Sequence, residues 1–203
     1  GHTIGDRVLA RLAAQLSPTQ RVLQAVPVAD SQTETRLTIV YGSQTGNAKR
    51  EAESLSQEAQ SQGLSVRLLR ADAYPVRELA NERLLYIVIS TQGDGDPPDD
   101  AQAFFEFISG RRAPALKELK FAVLGLGDSS YPQFNAIAKK LDARLAELGA
   151  SRLFDIGEAD VDVASVAAPW RQNALTQARE VLKTSISSAT ITPLRPAIAG
   201  SLY

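Results

Sequence analysis

The amino-acid sequence predicts an α/β fold in which a doubly wound parallel sheet of five strands carries helices on both faces. Short apolar runs alternate with segments of helical periodicity from residue 36 to residue 184, which is the pattern of successive βαβ units. The run Leu84–Ser90 is apolar throughout, as in a strand that is covered on both faces. Right-handed connections between five such strands favour the order 2-1-3-4-5, with a ligand at the carboxyl ends of the strands.

Each element is predicted from its own local pattern. The predicted strands are residues 37–41, 65–70, 84–90, 121–126 and 152–156, and the predicted helices are residues 46–62, 75–80, 99–110, 132–148 and 163–183. Gly63 and Gly149 follow two of these helices, at a position where glycine commonly ends a helix. Trp170 is expected on the core-facing side of the last helix.

The flanks differ from this central domain. We expect residues 1–35 to form a helical appendage and linker, residues 36–184 to form the domain, and residues 185–203 to form a second linker. The sequence contains no methionine, even at position 1, which predicts that it is a piece of a longer protein.

Composition excludes several classes of function. The formal net charge of −1 supplies no basic field for nucleic acid or an anionic membrane, and no apolar run reaches the length of a membrane span. We therefore expect a cytoplasmic protein. Because cysteine is absent and the single histidine is His2, no metal site or acid–base centre is predicted. Asp94 and Asp96 are expected to be solvated carboxylates.

The first strand ends in a loop of small polar residues that opens a helix. These residues are Ser43, Gln44, Thr45, Gly46, Asn47 and Ala48. Backbone N–H groups at such a helix start bind phosphate. The loop has neither the spacing of a dinucleotide fingerprint nor the lysine of a P-loop, so a single phosphate ester is the better ligand. Taken alone, the loop also fits a plain strand–helix turn with a hydroxyl cap.

Two further polar loops follow the third and fourth strands, and in a doubly wound sheet they lie on the same edge as the first. One contains Ser90, Thr91, Gln92 and Gly93, and the other contains Leu126, Gly127, Asp128, Ser129, Ser130, Tyr131, Pro132, Gln133, Phe134 and Asn135. A glycine at position 93 lets the backbone approach a flat polar edge. Tyr131 offers an aromatic face to a planar ring, although a half-buried loop tyrosine would fit the same pattern.

The motifs at residues 43–47, 90–98 and 126–131 are similar to the three FMN loops of flavodoxin-type domains in diflavin reductases. Many diflavin reductases carry an aromatic residue at the position of Gln92. The flavoprotein (alpha) subunits of NADPH–sulfite reductases form a branch that resembles this chain in having glutamine there. The resemblance implies a flavodoxin-like fold in which the first loop wraps the phosphate of FMN. The second loop would line the isoalloxazine edge, and the third would cover the ring with Tyr131 stacked on it.

The same resemblance implies an electron-transfer function in which no residue of this chain is catalytic. Electrons would pass from an NADPH-reduced FAD module of the same polypeptide to the haem and iron–sulfur subunit that reduces sulfite to sulfide. A free-standing flavodoxin shuttle and the FMN domain of another diflavin reductase remain alternatives. A phospho-acceptor signalling domain would need an aspartate at the end of the third strand, where Ser90 stands.

Acidic residues without neighbouring bases follow the third, fourth and fifth strands. They are Asp94, Asp96, Asp99, Asp100, Asp128, Glu158, Asp160 and Asp162. We expect this acidic rim to steer a basic partner onto the flavin edge, with an effect that weakens in salt. The predicted flavin site does not include Asp160 and Asp162.

Overall fold

The computed structural model describes residues 36–92 and 94–200, with side chains from residue 36 to residue 183 apart from residue 93. The contacts divide the chain into the units Gly1–Glu34 and Thr35–Tyr203, and the fold described is that of the second. The predicted appendage at residues 1–35 and the predicted site residue Gly93 lie outside the described residues.

A parallel sheet forms the centre of the domain. Its strands are β1 Arg36–Gly42, β2 Ser65–Arg70, β3 Leu84–Ser90, β4 Lys120–Leu126, β5 Ser151–Arg152 and β6 Gly157–Ala159. All pairings between these strands are parallel, and the order is β2-β1-β3-β4-β5, with β6 paired to β4. The predicted fold class and strand order are therefore confirmed.

The fifth predicted strand, at residues 152–156, is wrong in detail. β5 pairs with the start of β4 and β6 pairs with its end, while the chain between them leaves the ladder. Phe154 packs edge-on against Trp170, with ring centroids 5.6 Å apart, so this apolar residue fills the core instead of extending a strand. A Cβ at Gly157 would lie 2.7 Å from Trp170 Cδ1, so only glycine lets the strand resume there.

The helices are α1 Asn47–Ser61, α2 Gln102–Ser109, α3 Ala136–Glu147 and α4 Val163–Gly200, with 3₁₀ helices at Ala71–Ala73, Val76–Asn81 and Asp99–Ala101. The helix predicted from residue 132 begins at Ala136 because Asn135 adopts a left-handed conformation, with φ of 52°. α4 passes its predicted end at Lys183 and reaches Gly200, the first glycine after that point. Within the described residues, no helix combines the length and apolar character needed to cross a membrane.

The sheet is buried on both faces. On one face, α1 and α4 cover side chains such as Leu37, Tyr86 and Leu124, and Trp170 is 5% exposed in this layer, as predicted. On the other face, α2 and α3 cover the alternate residues of the same strands. With both faces covered by helices, a ligand can reach the sheet only at the strand ends.

A buried polar cluster closes the amino-terminal edge of the sheet. Glu82 is 1% exposed and accepts hydrogen bonds from the Thr38 hydroxyl at 2.8 Å, the Tyr74 hydroxyl at 2.7 Å and the Arg67 guanidinium at 2.8 Å. Burial raises the pKa of Tyr74, which therefore donates as a neutral phenol. Arg67 also pairs with the more exposed Glu78 at 2.9 Å. This cluster joins β1, β2 and the segment before β3. It lies at the edge of the sheet opposite to the carboxyl ends of the strands.

Candidate cofactor site

The three polar loops meet at the carboxyl edge around a cavity of about 490 Å³. This volume lies within the roughly 300–1,000 Å³ of small-molecule sites. The predicted residues that line it are Gln44, Thr45, Asn47, Ser90, Thr91, Gln92, Leu126, Gly127, Asp128, Tyr131, Gln133, Phe134 and Asn135. The topology of the sheet thus brings residues from three distant segments of the sequence to one cavity.

Other predicted site residues that the structure describes do not line the cavity. They are Ser43, Gly46, Ala48, Ser129, Ser130 and Pro132. Ala48 is fully buried in the core. The serines instead hold loop geometry, since the Ser130 hydroxyl donates to Asp128 at 2.6 Å and the Ser43 hydroxyl accepts from Gly46.

Three cavity residues were missing from the predicted site. Asp160, Val161 and Val163 follow β6 and line the cavity. Val161 is 74% exposed, an unusual position for an aliphatic side chain. The available signal was the position of Asp160 after the last strand, on the edge that the other loops share.

The first loop is shaped to receive an anion. Gly46 has φ of 93°, and its N–H donates to Ser43 Oγ at 2.8 Å. α1 starts at the next residue, so its first N–H groups have no partners within the helix, and its first turn contains no acid. Arg50 donates to Asn47 Oδ1 and so places a guanidinium beside the loop. Arg50 is not among the predicted site residues, because it lies in the first turn of the helix and not in the loop itself.

The second loop is a tight turn packed against the third. The Gln92 N–H donates to the Asp96 carbonyl at 2.9 Å, and the Asp96 N–H returns a bond to the Gln92 carbonyl at 3.0 Å. Gly95 has φ of 105°, and a Cβ there would lie 2.9 Å from Gln133 Cβ. Only glycine satisfies both conditions, so this position sets the spacing of the two loops.

Thr91 connects the second loop to the helix that follows the third. Its hydroxyl oxygen accepts the Ile137 N–H in the first turn of α3 at 3.0 Å, and its own N–H donates to the Leu126 carbonyl at 3.0 Å. The side chain that was predicted to line the flavin edge therefore also caps a helix.

Asn135 is the buried polar residue of the third loop. Its side chain is fully buried, and its Nδ2 donates to the Ala159 carbonyl at 3.3 Å. Its Oδ1 has no hydrogen-bond partner within the described part of the chain, although the residue lines the cavity. Because an unsatisfied buried acceptor is costly, this oxygen suits a donor group of a ligand.

The rim of the cavity combines an aromatic ring with a carboxylate. Tyr131 is 50% exposed and can offer a ring face to a flat ligand. Asp160 accepts N–H groups from Ser129 at 3.0 Å and Val161 at 2.8 Å. Hydrogen bonds from Ser129, with the Val161 N–H, lower the pKa of Asp160. The ionised carboxylate ties the third loop to the loop after β6.

Comparison with known proteins finds the family model described as Flavodoxin over residues 39–168. Among curated proteins, the chain is 40% identical over 190 residues to the sulfite reductase [NADPH] flavoprotein alpha-component of Shewanella sp. (strain MR-7). The match covers 94% of this chain and 32% of that protein. The same component of Vibrio vulnificus (strain CMCP6) is 40% identical over 179 residues, or 88% of this chain and 29% of that protein. The chain thus spans about a third of the length of these relatives.

Solved structures share the fold at low sequence identity. A flavodoxin of Streptococcus pneumonia TIGR4 matches with a TM-score of 0.61 and 20% identity, covering 70% of this chain and 99% of that chain. A short-chain flavodoxin associated with a bacterial microcompartment matches with a TM-score of 0.60 and 18% identity, over 70% of this chain and 98% of that chain.

Proposed function

Because the chain belongs to the flavodoxin family, we propose that its cavity binds FMN and that the domain transfers electrons through this cofactor. When bound, FMN supplies the one- and two-electron redox chemistry that side chains do not provide. The observation that carries the proposal is the convergence of three loops on one cavity of about 490 Å³. These loops provide a helix N-terminus for a phosphate and an aromatic face for a ring.

The residues at the phosphate end fit this cofactor. Thr45 and Asn47 line the cavity at the start of α1, whose first turn contains no acid to repel a dianion. The guanidinium of Arg50 beside Asn47 supplies the positive charge that the absent P-loop lysine would otherwise give. Ser43 and Gly46, which do not line the cavity, hold this arrangement through the bond from the Gly46 N–H to Ser43 Oγ.

The residues at the ring end fit as well. Tyr131 would stack on the isoalloxazine, and Ser90, Thr91 and Gln92, which line the cavity, would face its polar edge. Val161 lines the cavity with an exposed apolar side chain, so it can cover ring surface that the polar Gln92 leaves unshielded. The Oδ1 of Asn135, which has no partner in the described structure, would accept a hydrogen bond from the cofactor. In this proposal no side chain transfers a proton. The protein binds, orients and partly desolvates the flavin.

The likeness to sulfite reductase flavoprotein components supports a more specific role. We propose that the domain receives electrons from an NADPH-reduced FAD module of the same polypeptide and delivers them to a haem and iron–sulfur subunit in the cytoplasm. This proposal is supported by 40% identity, along 94% of this chain, to a protein named sulfite reductase [NADPH] flavoprotein alpha-component.

We propose that the acidic rim is a docking surface for basic regions of these partners. Asp94, Asp96, Asp99 and Asp162 are exposed, whereas Glu158 pairs with Lys139 at 3.2 Å. Exposed charges steer association but are screened within about 8 Å at physiological salt. Neutralising the four exposed acids should therefore slow electron delivery most at low ionic strength.

The test is electron delivery to the proposed acceptor. The FMN-loaded chain is reduced chemically and mixed, without oxygen, with the haem and iron–sulfur subunit while haem absorbance is followed. We expect haem reduction that slows with salt and with neutralisation of the four acids. A chain that binds and accepts electrons on FMN but leaves the haem oxidised would contradict the sulfite reductase assignment and leave flavin binding intact.

A further inference from the structure

Asp100 holds the phosphate-binding loop from behind. It lies in the 3₁₀ helix Asp99–Ala101, and its carboxylate accepts the Ser43 N–H, with N to Oδ1 at 3.1 Å and N to Oδ2 at 3.3 Å. Ser43 Oγ accepts the Gly46 N–H at 2.8 Å, so one chain of contacts runs from Asp100 to the start of α1.

This contact is enforced by close packing. A Cβ at Gly42 would lie 2.6 Å from Ala101 Cβ, so the end of β1 touches the 3₁₀ helix directly. The Asp99 N–H also faces Gln44 Oε1 at 3.5 Å. The first loop and the segment after the second loop are therefore assembled as one unit.

The arrangement places a carboxylate beside a loop built for an anion. The Ser43 N–H points at Asp100, and Ser43 does not line the cavity. We propose that Asp100 is a positioning residue for FMN: its hydrogen bond orients the phosphate-binding loop, and its negative charge weakens phosphate affinity. The inference rests on the proposed FMN site. As a hydrogen-bond acceptor the Asp100 carboxylate favours FMN binding, and as a negative charge it opposes FMN binding.

Two substitutions separate these effects. Asp100→Asn keeps an oxygen that can accept the Ser43 N–H and removes the charge, whereas Asp100→Ala removes both. Asp99→Asn is the matched control, because it removes a charge from the same 3₁₀ helix at an exposed side chain and keeps the backbone N–H that faces Gln44. Riboflavin, which lacks the phosphate, is the matched ligand.

The measurement is the Kd of FMN and of riboflavin for each variant of the full chain, by flavin fluorescence. We expect Asp100→Asn to bind FMN about three- to tenfold more tightly than the wild type, from removal of one nearby charge. Asp100→Ala should bind FMN about tenfold more weakly than Asp100→Asn, from the lost acceptor. Riboflavin affinity should change less than about twofold throughout, and Asp99→Asn should behave like the wild type because exposed charge is screened.

The outcomes distinguish this inference from the proposed function. If the wild type binds FMN but Asp100→Asn binds it no more tightly, Asp100 does not act by charge and the inference is overturned. Equal changes for FMN and riboflavin would overturn it too, because they would indicate a general effect on folding. A wild type that does not bind FMN would overturn the site itself.

A pH profile gives a second readout that a purely structural role would not move. Burial raises the pKa of Asp100, with Asp72 acting in the same direction and the Ser43 N–H and Arg70 acting against it. Protonation makes the wild type resemble Asp100→Asn, so the affinity ratio of the two proteins should fall to one as pH drops through this raised pKa. The phosphate ester also gains a proton, with a pKa of about 6, and its smaller charge lowers the same ratio, so the two titrations act in one direction. A ratio that stays constant from neutral pH to pH about 4 would contradict the charge effect.

Discussion

Replacing Gly46 by alanine tests whether the left-handed start of α1 is required for FMN. Gly46 and Gly63 flank the same helix with φ of 93° and 86°. A Cβ at Gly46 would meet only Arg50 Nη1, at 3.4 Å, and a Cβ at Gly63 would meet nothing within 4 Å. Both substitutions therefore impose the same backbone strain with little steric clash, but only Gly46 belongs to the phosphate loop. Gly63→Ala is the matched control.

The magnitude follows from the backbone. An alanine in the left-handed conformation raises the free energy of the folded state by about 1–2 kcal/mol. Alanine also restricts the unfolded chain more than glycine does, which offsets about 0.4–1 kcal/mol of this loss. A variant that keeps the left-handed conformation in the free protein should thus lose about 1 kcal/mol of unfolding free energy. If the loop of Gly46→Ala relaxes in the free protein, FMN binding must restore the strained form, and 1–2 kcal/mol then weakens FMN affinity about five- to thirtyfold.

Two assays read these effects separately. Urea unfolding is followed by the fluorescence of Trp170, the single tryptophan, which is 5% exposed in the folded state. FMN affinity is measured by quenching of flavin fluorescence. We expect Gly63→Ala to lose unfolding free energy and keep its FMN affinity, and Gly46→Ala, whose loop relaxes, to lose less unfolding free energy and bind FMN more weakly. If Gly46→Ala binds FMN within about twofold of Gly63→Ala, the assigned role of this loop is wrong.

Two other predictions concern the ring and the opposite edge of the sheet. Tyr131→Ala should weaken FMN about three- to tenfold in a flavin titration, while Tyr131→Phe should bind like the wild type, because stacking contributes about 0.5–1.5 kcal/mol and needs only the ring. Equal losses in both variants would argue for a hydroxyl contact instead. Glu82→Gln should lower the unfolding free energy by about 2–4 kcal/mol in urea, because the amide keeps only one of the two buried acceptor oxygens and removes the charge that pairs with Arg67. Glu78→Gln, at a pair whose carboxylate is 47% exposed, should cost less than about 1 kcal/mol, and equal costs would refute the role of burial.

The strand order and the grouping of the loops were predictable because they depend on local patterns and on topology. Continuous apolar strands such as Leu84–Ser90 identify a sheet covered on both faces. Parallel connection then places every strand-to-helix loop on one edge, whatever their separation in the chain. Thr45, Thr91 and Tyr131 therefore line one cavity, as three separate motifs indicated.

The errors arise where tertiary contacts override local patterns. Pro132 is a good first residue of a helix, yet the bond from Asn135 to the Ala159 carbonyl delays α3 to Ala136. The contact of Phe154 with Trp170 divides the last strand. Val161 lines the cavity after β6, and no local signal distinguishes it from an ordinary loop residue. The inward bond from Ser43 to Asp100 likewise depends on two segments far apart in sequence.

The central claim is that this chain binds FMN at the meeting point of its three loops. The most direct measurement is a calorimetric titration of the full chain with FMN, with riboflavin and FAD as comparison ligands, and with a Thr45→Ala variant beside the wild type. We predict one FMN per chain, tighter binding of FMN than of riboflavin or FAD, and a loss of this preference over riboflavin in the variant. No binding of FMN, or equal binding of FMN and riboflavin by the wild type, would contradict the account.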